Sequence, residues 1–437
     1  YPLMVTTRLL LIGLVMLLAA PGGCVASAAD GQTAAPSFRN EVIPLLTRLG
    51  CNQGACHGKL AGQNGFRLSL RGYWPELDAQ TLTREGRARR INAAAPELSL
   101  LMRKATGQMP HKGGRLIEPG SKAYQLLHDW IAAGSPGLIE NEVTVDRLDV
   151  HAGPTTLGVG QQVDLTATAH FTNNAQRDVT WLAQFFSGDP TVLEVSPDGR
   201  VTALRQGAAS VRVHFQDHVK VVTFTVPHEQ PIAGEVFGEH HNDVDKHVFA
   251  QLQTLRIKPS DMCDDATFVR RAFLDTIGTL PTAEQARAFV HDASPDKRVR
   301  LIDALLNRPE FVDYWTLQLG DLLQNRVERD HDVRGTKGVR SFHAWLRQQV
   351  AVNRPWNELA RDVLTARGDV IDNPQVGYFI VTVGEKRDPE QSEVVESVAQ
   401  AFLGTRIGCA KCHNHPQEKY TQDDYYHFAA FFSRVGV

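Results

Sequence analysis

Two short stretches hold the residues best suited to chemistry: Cys51-Asn-Gln-Gly-Ala-Cys56-His57 near the start and Cys409-Ala-Lys-Cys412-His413 near the other end. A histidine directly after the second of two close cysteines is what covalent haem attachment needs. The thiols add to the vinyl groups of one haem, and the next imidazole lies beneath the iron. Cys409 to His413 has the usual spacing for this. Four residues separate Cys51 from Cys56, so that loop must bulge, and Gly54 is placed to tolerate the backbone angles required. The expectation is haem c at both places, held by Cys51, Cys56 and His57 and by Cys409, Cys412 and His413.

Other chemistries compete for the same residues. In an oxidising compartment either cysteine pair can close a disulfide. Cys409, Cys412, His413 and His415 also offer thiolate and imidazole ligands for zinc, although zinc sites usually draw on two separated pairs and these four lie in one short run. A haem held by His57 needs a ligand on its other face. The stretch Gly107-Gln-Met109-Pro110-His111-Lys-Gly113-Gly114, which no regular element would tolerate, offers a thioether at Met109 and an imidazole at His111. Pro110 fixes the backbone between them, so one or the other reaches the iron.

The elements that must position these groups fall into three regions. From 36 to 138 the pattern is helical: Phe38, Val42, Ile43, Leu45 and Leu46 lead into Cys51, a short helix starts at Ser99, and Ser121 caps a last helix with Tyr124, Leu127, Trp130 and Ile131 inward. From 142 to 227 the period changes to two, with β-branched runs at Val143–Val145, Val163–Ala167, Val192–Val195, Val201–Ala203, Ser210–Val213 and Val219–Val226 and a tight turn at Pro197-Asp198-Gly199. Short strands at this spacing predict a β-sandwich, with Trp181 in its core. From 235 to 437 the chain is mainly helical. Asp264 or Asp265 caps one helix, Thr282 and Gln285 make a capping box, and Ser294-Pro295 begins a helix with Val299, Ile302, Leu305 and Leu306 inward. Further helices cover 342–350, 356–364 and 393–403. Thr421 and Asp424 cap the last, whose Tyr426, Phe428, Phe431 and Phe432 either wall a haem or form an ordinary aromatic core. The fold class is thus a multidomain α + β protein.

Length and charge set the outer limits. A chain of 437 residues holds roughly two to four domains. A formal net charge of −3 creates no field to attract nucleic acid, so none is expected as a partner. The basic run from Arg84 to Arg90 reads as a solvated face, or as a partner for haem propionates. Residues 1–29 read as a signal peptide, with Arg8, an apolar run from Leu9 to Ala20 too short to span a bilayer, and the small-residue cleavage site Ala26-Ser27-Ala28. Lipoprotein anchoring at Cys24 is disfavoured by Pro21 and Gly22 before it. Tyr1 is not an initiator, so Met4 is the expected start and the sequence reads as a fragment. The mature protein is expected to be exported, to a periplasm or cell surface, with no transmembrane segment after signal removal.

The attachment helix, polar loops, Met-Pro loop and closing Trp-Ile helix of 36–138 resemble the class I cytochrome c layout, in which the ligand Met precedes Pro, as Met109 does. Val179-Thr-Trp181, Asp198-Gly199-Arg-Val201-Thr-Ala203 and Gly207-Ala-Ala-Ser210-Val resemble the bacterial Ig-like group 2 module. Gly50-Cys51-Asn52, His57-Gly58, Gly65-Phe66-Arg67-Leu68-Ser69-Leu70, Pro110-His111, Phe268-Val-Arg270-Arg271, Gly278-Thr-Leu-Pro281, Asn353-Arg354-Pro355-Trp356, Phe402-Leu403-Gly404 and Cys409-Ala-Lys-Cys412-His413-Asn414-His415-Pro416 are similar to the secreted planctomycete cytochrome c-like proteins. Those join a haem domain, an Ig-like group 2 module and a domain of unknown function, and usually continue into a further such domain. The resemblance implies export and haem, and its Pro-His-x-Gly-Gly pattern implies His111 as distal ligand ahead of Met109.

Three functions follow. The leading one is an exported c-type cytochrome that passes electrons to a redox partner protein, with surface or polysaccharide contact through the Ig-like module. A cell-surface scaffold or glycan-binding protein with disulfides in place of haem is the second. The third is a zinc-dependent hydrolase using His413 and His415. Hydrolase and nucleotide-binding signatures (Gly-x-Ser-x-Gly, His-Glu-x-x-His, a phosphate loop) do not occur in the sequence.

Overall fold

The computed structural model describes residues 35–238, 240, 242–325, 333–383, 391–415 and 417–435. The expected signal peptide, Cys24 with it, and Pro416 lie outside these. Residues 36–437 form one compact unit.

The N-terminal region is built from short helices. Phe38–Val42 runs into α1 (Ile43–Arg48) after Ser37, whose hydroxyl accepts the Asn40 amide, and Phe38, Val42, Leu45 and Leu46 are buried. Next come α2 (Pro75–Thr83), α3 (Leu100–Ala105) and α4 (Lys122–Ala132), the last capped by Ser121 at 3.2 Å. Trp130 is fully buried against Phe38 at 5.5 Å, and Trp130 Nε1 donates to the Pro136 carbonyl. Helix α2 has no counterpart in the sequence reading, yet Pro75 in the first turn with Glu76 and Asp78 is a helix-start signal.

The sandwich that follows is wholly antiparallel within its sheets. One sheet holds β1 (Val145–Ala152), β2 (Gln162–Phe171), β3 (Gln176–Asp178), β5 (Leu193–Val195) and β6 (Arg200–Ala203), in the order β1-β2-β6-β5 with β3 on β2. The other is β4 (Gln184–Ser187), β7 (Gly207–Phe215) and β8 (His218–Val226). Val211, Val213 and Phe215 point into the core while Arg212 and His214 lie on the other face, the period of two expected of a strand. The Asp198-Gly199 turn forms as expected, with Gly199 at φ +84°. Trp181, expected in the core, is only half-buried. It sits on a helical turn with the Lys122 ammonium 4.0 Å from its ring, at the seam with the helical region.

Across that seam the helices and the sandwich share one continuous apolar core. Arg48 reaches across it to the Trp181 carbonyl (2.5 Å) and to Asp198 (2.6 Å), and Arg177 reaches back to Glu41 (3.1 Å).

The C-terminal region is helical, as expected. Its first part packs α6 (Asp265–Ile277), α7 (Ala283–His291), α8 (Lys297–Leu306) and α9 (Pro309–Leu322) after α5 (Asp243–Leu255). Asp264 is the cap of α6, and the Thr282–Gln285 box forms. On α8 only Leu305 is buried, whereas Val299, Ile302 and Leu306 are exposed. The helix therefore rests on a narrow stripe. The second part has its own core, from α10 (Val333–Ala351), α11 (Trp356–Leu364), α12 (Gly377–Val383), α13 (Gln391–Leu403) and α14 (Gln422–Ala430). Among the described residues no helix is long and apolar enough to cross a membrane.

Candidate functional site

The Cys51–His57 loop closes on itself directly after α1. The Cys51 amide donates to Leu46 O, Cys56 to Gln53 O and His57 to Cys51 O, each within 3.0 Å. The glycine this loop depends on is Gly58 rather than the expected Gly54. A Cβ on Gly58 would come within 2.0 Å of the Asn52 carbonyl, whereas one on Gly54 would meet nothing nearer than 4.0 Å. Gly50 supplies the left-handed turn before the loop, at φ +78°.

Cys51, Cys56, His57 and His111 line one cavity of about 430 Å³. Leu46, Leu68, Leu82, Leu100 and Leu101 form its apolar wall, with Arg89, Arg90 and Lys104 among its charged groups. That volume is within the ordinary range for small-molecule and cofactor sites. The His57 and His111 ring centroids are 6.3 Å apart and their planes lie within 6° of parallel. Each ring turns Nδ1 to a backbone carbonyl, His57 to Phe66 O at 3.0 Å and His111 to Gly114 O at 3.4 Å. Nδ1–H then donates and Nε2 is left as the bare nitrogen, the arrangement found behind metal-ligating histidines. Gly113 makes room for the second ring, since a Cβ there would meet His111 Cε1 at 2.9 Å.

Electrostatics favour the neutral form of His57. Burial lowers its pKa first of all, the Phe66 carbonyl opposes this, and His111, Arg90 and Lys104 lower it further. The Cys51 thiol is pushed up to about 12, by burial and then by Cys56. Although half-buried by accessible surface, Cys51 is enclosed by protein and its open side faces the cavity. Both cysteines are free thiols.

Met109 is half-buried and is not part of the cavity lining, whereas Pro110, His111, Lys112 and Gly113 are. Its amide donates to Arg103 O at 3.0 Å. The basic run divides in a way its composition concealed. Residues 84–89 are exposed, but Arg90 is buried, lies over the Phe66 ring at 4.5 Å and donates to the Thr81 and Glu85 carbonyls.

The second motif is a surface turn. Gly408–Lys411 is a single helical turn with Cys409 and Cys412 exposed. His413 Nδ1 donates to Asn414 O at 2.7 Å, which frees Nε2. His415 differs. Its Nδ1 accepts the Gln417 and Glu418 amides at 3.2 and 3.0 Å, and its ring also bonds the Arg406 carbonyl, so both nitrogens are occupied. Among the described residues no three His, Cys, Asp or Glu side chains converge to hold a metal ion. A zinc cage of Cys409, Cys412, His413 and His415 is therefore not assembled. The aromatic row divides too: Phe428 and Phe432 pack on the core while Tyr426 and Phe431 are exposed.

Both motifs touch the 71–73 segment. Tyr73 lies 6.4 Å, ring to ring, from His413, and the segment leading to it is tied to the first motif by Arg71 N–H donating to Asn52 O at 3.0 Å. No periodicity in the sequence signals this.

Residues 144–226 match the bacterial Ig-like domain (group 2), and residues 243–436 match PSCyt2, a protein of unknown function (DUF1549). The chain carries both domains. It is also 32% identical over 89 residues to an "S-layer-related protein" of Niallia circulans, a stretch that makes up 20% of this chain and 5% of that protein. The chain thus spans a small fraction of that relative's length.

Proposed function

We propose that the chain is an exported multi-domain c-type cytochrome with an electron-transfer role, whose helical N-terminal region is a cytochrome c-like haem domain of the planctomycete type. The observation that carries the reading is the His57–His111 pair, parallel and 6.3 Å apart across one cavity that two thiols also line. Both rings leave Nε2 free and line the same cavity, which is the donor set a haem iron would need. In this reading Cys51 and Cys56 would hold the haem covalently, and His57 and His111 would ligate its iron through Nε2. Arg89 and Lys104 are placed to meet propionates, while the leucine wall excludes water. Bound haem would supply a one-electron iron couple, and two imidazoles would set it at a lower potential than imidazole with thioether. Met109 is the weaker candidate because it stands off the cavity.

Cys409, Cys412 and His413 would hold a second haem at the surface, open to a redox partner protein. The Ig-like domain and the similarity to an S-layer-related protein support export and contact at a cell surface.

The test is the visible spectrum of protein made with a haem-attachment system. Sharp reduced bands are expected, and Cys51→Ala with Cys56→Ala should remove half the covalent haem. His111→Ala should open the low-spin site to carbon monoxide, while Met109→Leu leaves the spectrum unchanged. A colourless protein, or loss of the low-spin spectrum in Met109→Leu alone, would refute the reading.

A further inference from the structure

A second cavity, of about 290 Å³, lies where all three regions meet, and its charges are unbalanced. The helical region contributes Arg39, Thr47 and Arg71, the sandwich contributes Gln184, His214, Gln216 and Asp217, and the C-terminal region contributes Asn414 and His415. Arg71 is the unusual member. Its backbone is in the left-handed region (φ +56°), which costs a residue with a Cβ and is typically retained where function requires it. Its guanidinium donates to His214 Nδ1 at 3.3 Å and lies over the Phe186 ring at 5.5 Å.

Among the described residues no carboxylate comes within 4.0 Å of Arg71 or of Arg212, its neighbour in charge. Arg39 is paired with Glu76 at 3.2 Å, and Asp217 is held by His218 at 2.8 Å. His214 is buried. Because its Nδ1 accepts from Arg71, its Nε2 carries the proton, and that nitrogen has no partner, nor has the buried Nε of Arg212. Desolvated cations are normally paired, so this cluster lacks an anion.

The uncharged groups describe the rest of the occupant. Gln184 spends its amide nitrogen on the Thr47 carbonyl (2.9 Å) and Gln216 on Asn40 (3.0 Å), which leaves both carbonyl oxygens as acceptors. Asn414 accepts the Gln422 amide on its oxygen, so its nitrogen is left to donate. Acceptors beside a guanidinium suit hydroxyls attached to an acid, and the volume is too large for a bare inorganic ion but near the lower limit of small-molecule sites. We infer that this three-way junction binds a hydroxylated organic carboxylate about the size of one acidic sugar residue, with Arg71 on the carboxylate. The inference is independent of haem.

Isothermal titration of the full chain with galacturonate tests it, with galactose and inorganic sulfate as controls. Galacturonate should bind, and both controls should bind at least about tenfold more weakly, the effect of losing one charge-assisted hydrogen bond. Arg71→Gln should weaken galacturonate by at least about tenfold, and Arg71→Lys by less. Gln184 faces His214 across the β4–β7 pair, so Gln184→Glu places a carboxylate in the cavity and should abolish binding even if the Arg71 variants fold poorly. The inference is overturned by no binding at roughly 10 mM. It is equally overturned by galactose or sulfate matching galacturonate, or by Arg71→Gln and Gln184→Glu both leaving affinity unchanged.

Discussion

Asp78 allows a quantitative test of the wall behind the cavity that Cys51 and His57 line. It is fully buried on α2, where Oδ1 accepts the Ser69 amide at 2.5 Å and Oδ2 accepts the Ser69 hydroxyl at 2.6 Å. Ser69 follows Leu68, which lines the cavity and whose amide holds the His57 carbonyl at 2.8 Å. Burial dominates and pushes the carboxyl up from 3.8 to about 6, against the two Ser69 bonds. A tenfold change in proton affinity is worth about 1.4 kcal/mol, so the rise corresponds to about 3 kcal/mol. Since the folded carboxyl holds its proton more tightly than the unfolded one, this stability is fully present below the unfolded range and is lost as pH rises through about 6. Asp78→Asn keeps an acceptor for the Ser69 amide and removes the titration. Between about pH 4 and 7.5 its stability relative to wild type should climb by up to about 3 kcal/mol. The assay is amide exchange of the 66–83 segment, corrected for the intrinsic rate at each pH. A difference between the two proteins that is flat with pH, or that falls, would refute the argument.

Three further outcomes follow from particular contacts. Gly72→Ala places a Cβ 2.2 Å from Ile43 Cγ2 at φ +75°, and should destabilise the helical region by about 2 kcal/mol or more in a thermal melt. Arg48→Ala removes both bonds to Trp181 O and Asp198, and should raise amide exchange at the seam by an amount equivalent to about 1–2 kcal/mol while the strands stay protected. Cys409→Ala with Cys412→Ala should remove the half of the covalent haem that the Cys51 and Cys56 double variant retains. An unchanged haem content there would remove the second haem from the proposal.

What could be read from the sequence, and what could not, has physical causes. Caps at Ser121, Asp264, Thr282 and Thr421 were legible because capping is local, set by a side chain and an amide three residues on. The strands from Leu193 to Val226 were legible from β-branched alternation. Strand β4 was not, since Gln184, Phe185, Phe186 and Ser187 carry no alternation, and β1 was recognised only at its first residue. Periodicity also misjudged Val299 and Ile302, because a helix pattern does not reveal how wide a face its neighbours cover. At the candidate site the motif residues were plain, but the role of Gly58, the burial of Arg90 and the meeting of Tyr73 with His413 all depend on chain segments distant in sequence.

The enclosed sulfur of Cys51 also bears on when the protein can mature. A thiol reacts through its thiolate, and one pushed up to about 12 is almost wholly protonated near neutral pH. In the folded chain Leu46, Phe66 and Leu68 line the cavity beside it, and the protonated sulfur is a poor nucleophile toward a vinyl group or an oxidant. Under the proposed function, attachment at the first motif would therefore precede closure of that loop. Cys409 and Cys412, on a surface turn, remain accessible after folding. In that case the first motif would be filled before the second, on a chain that is still open.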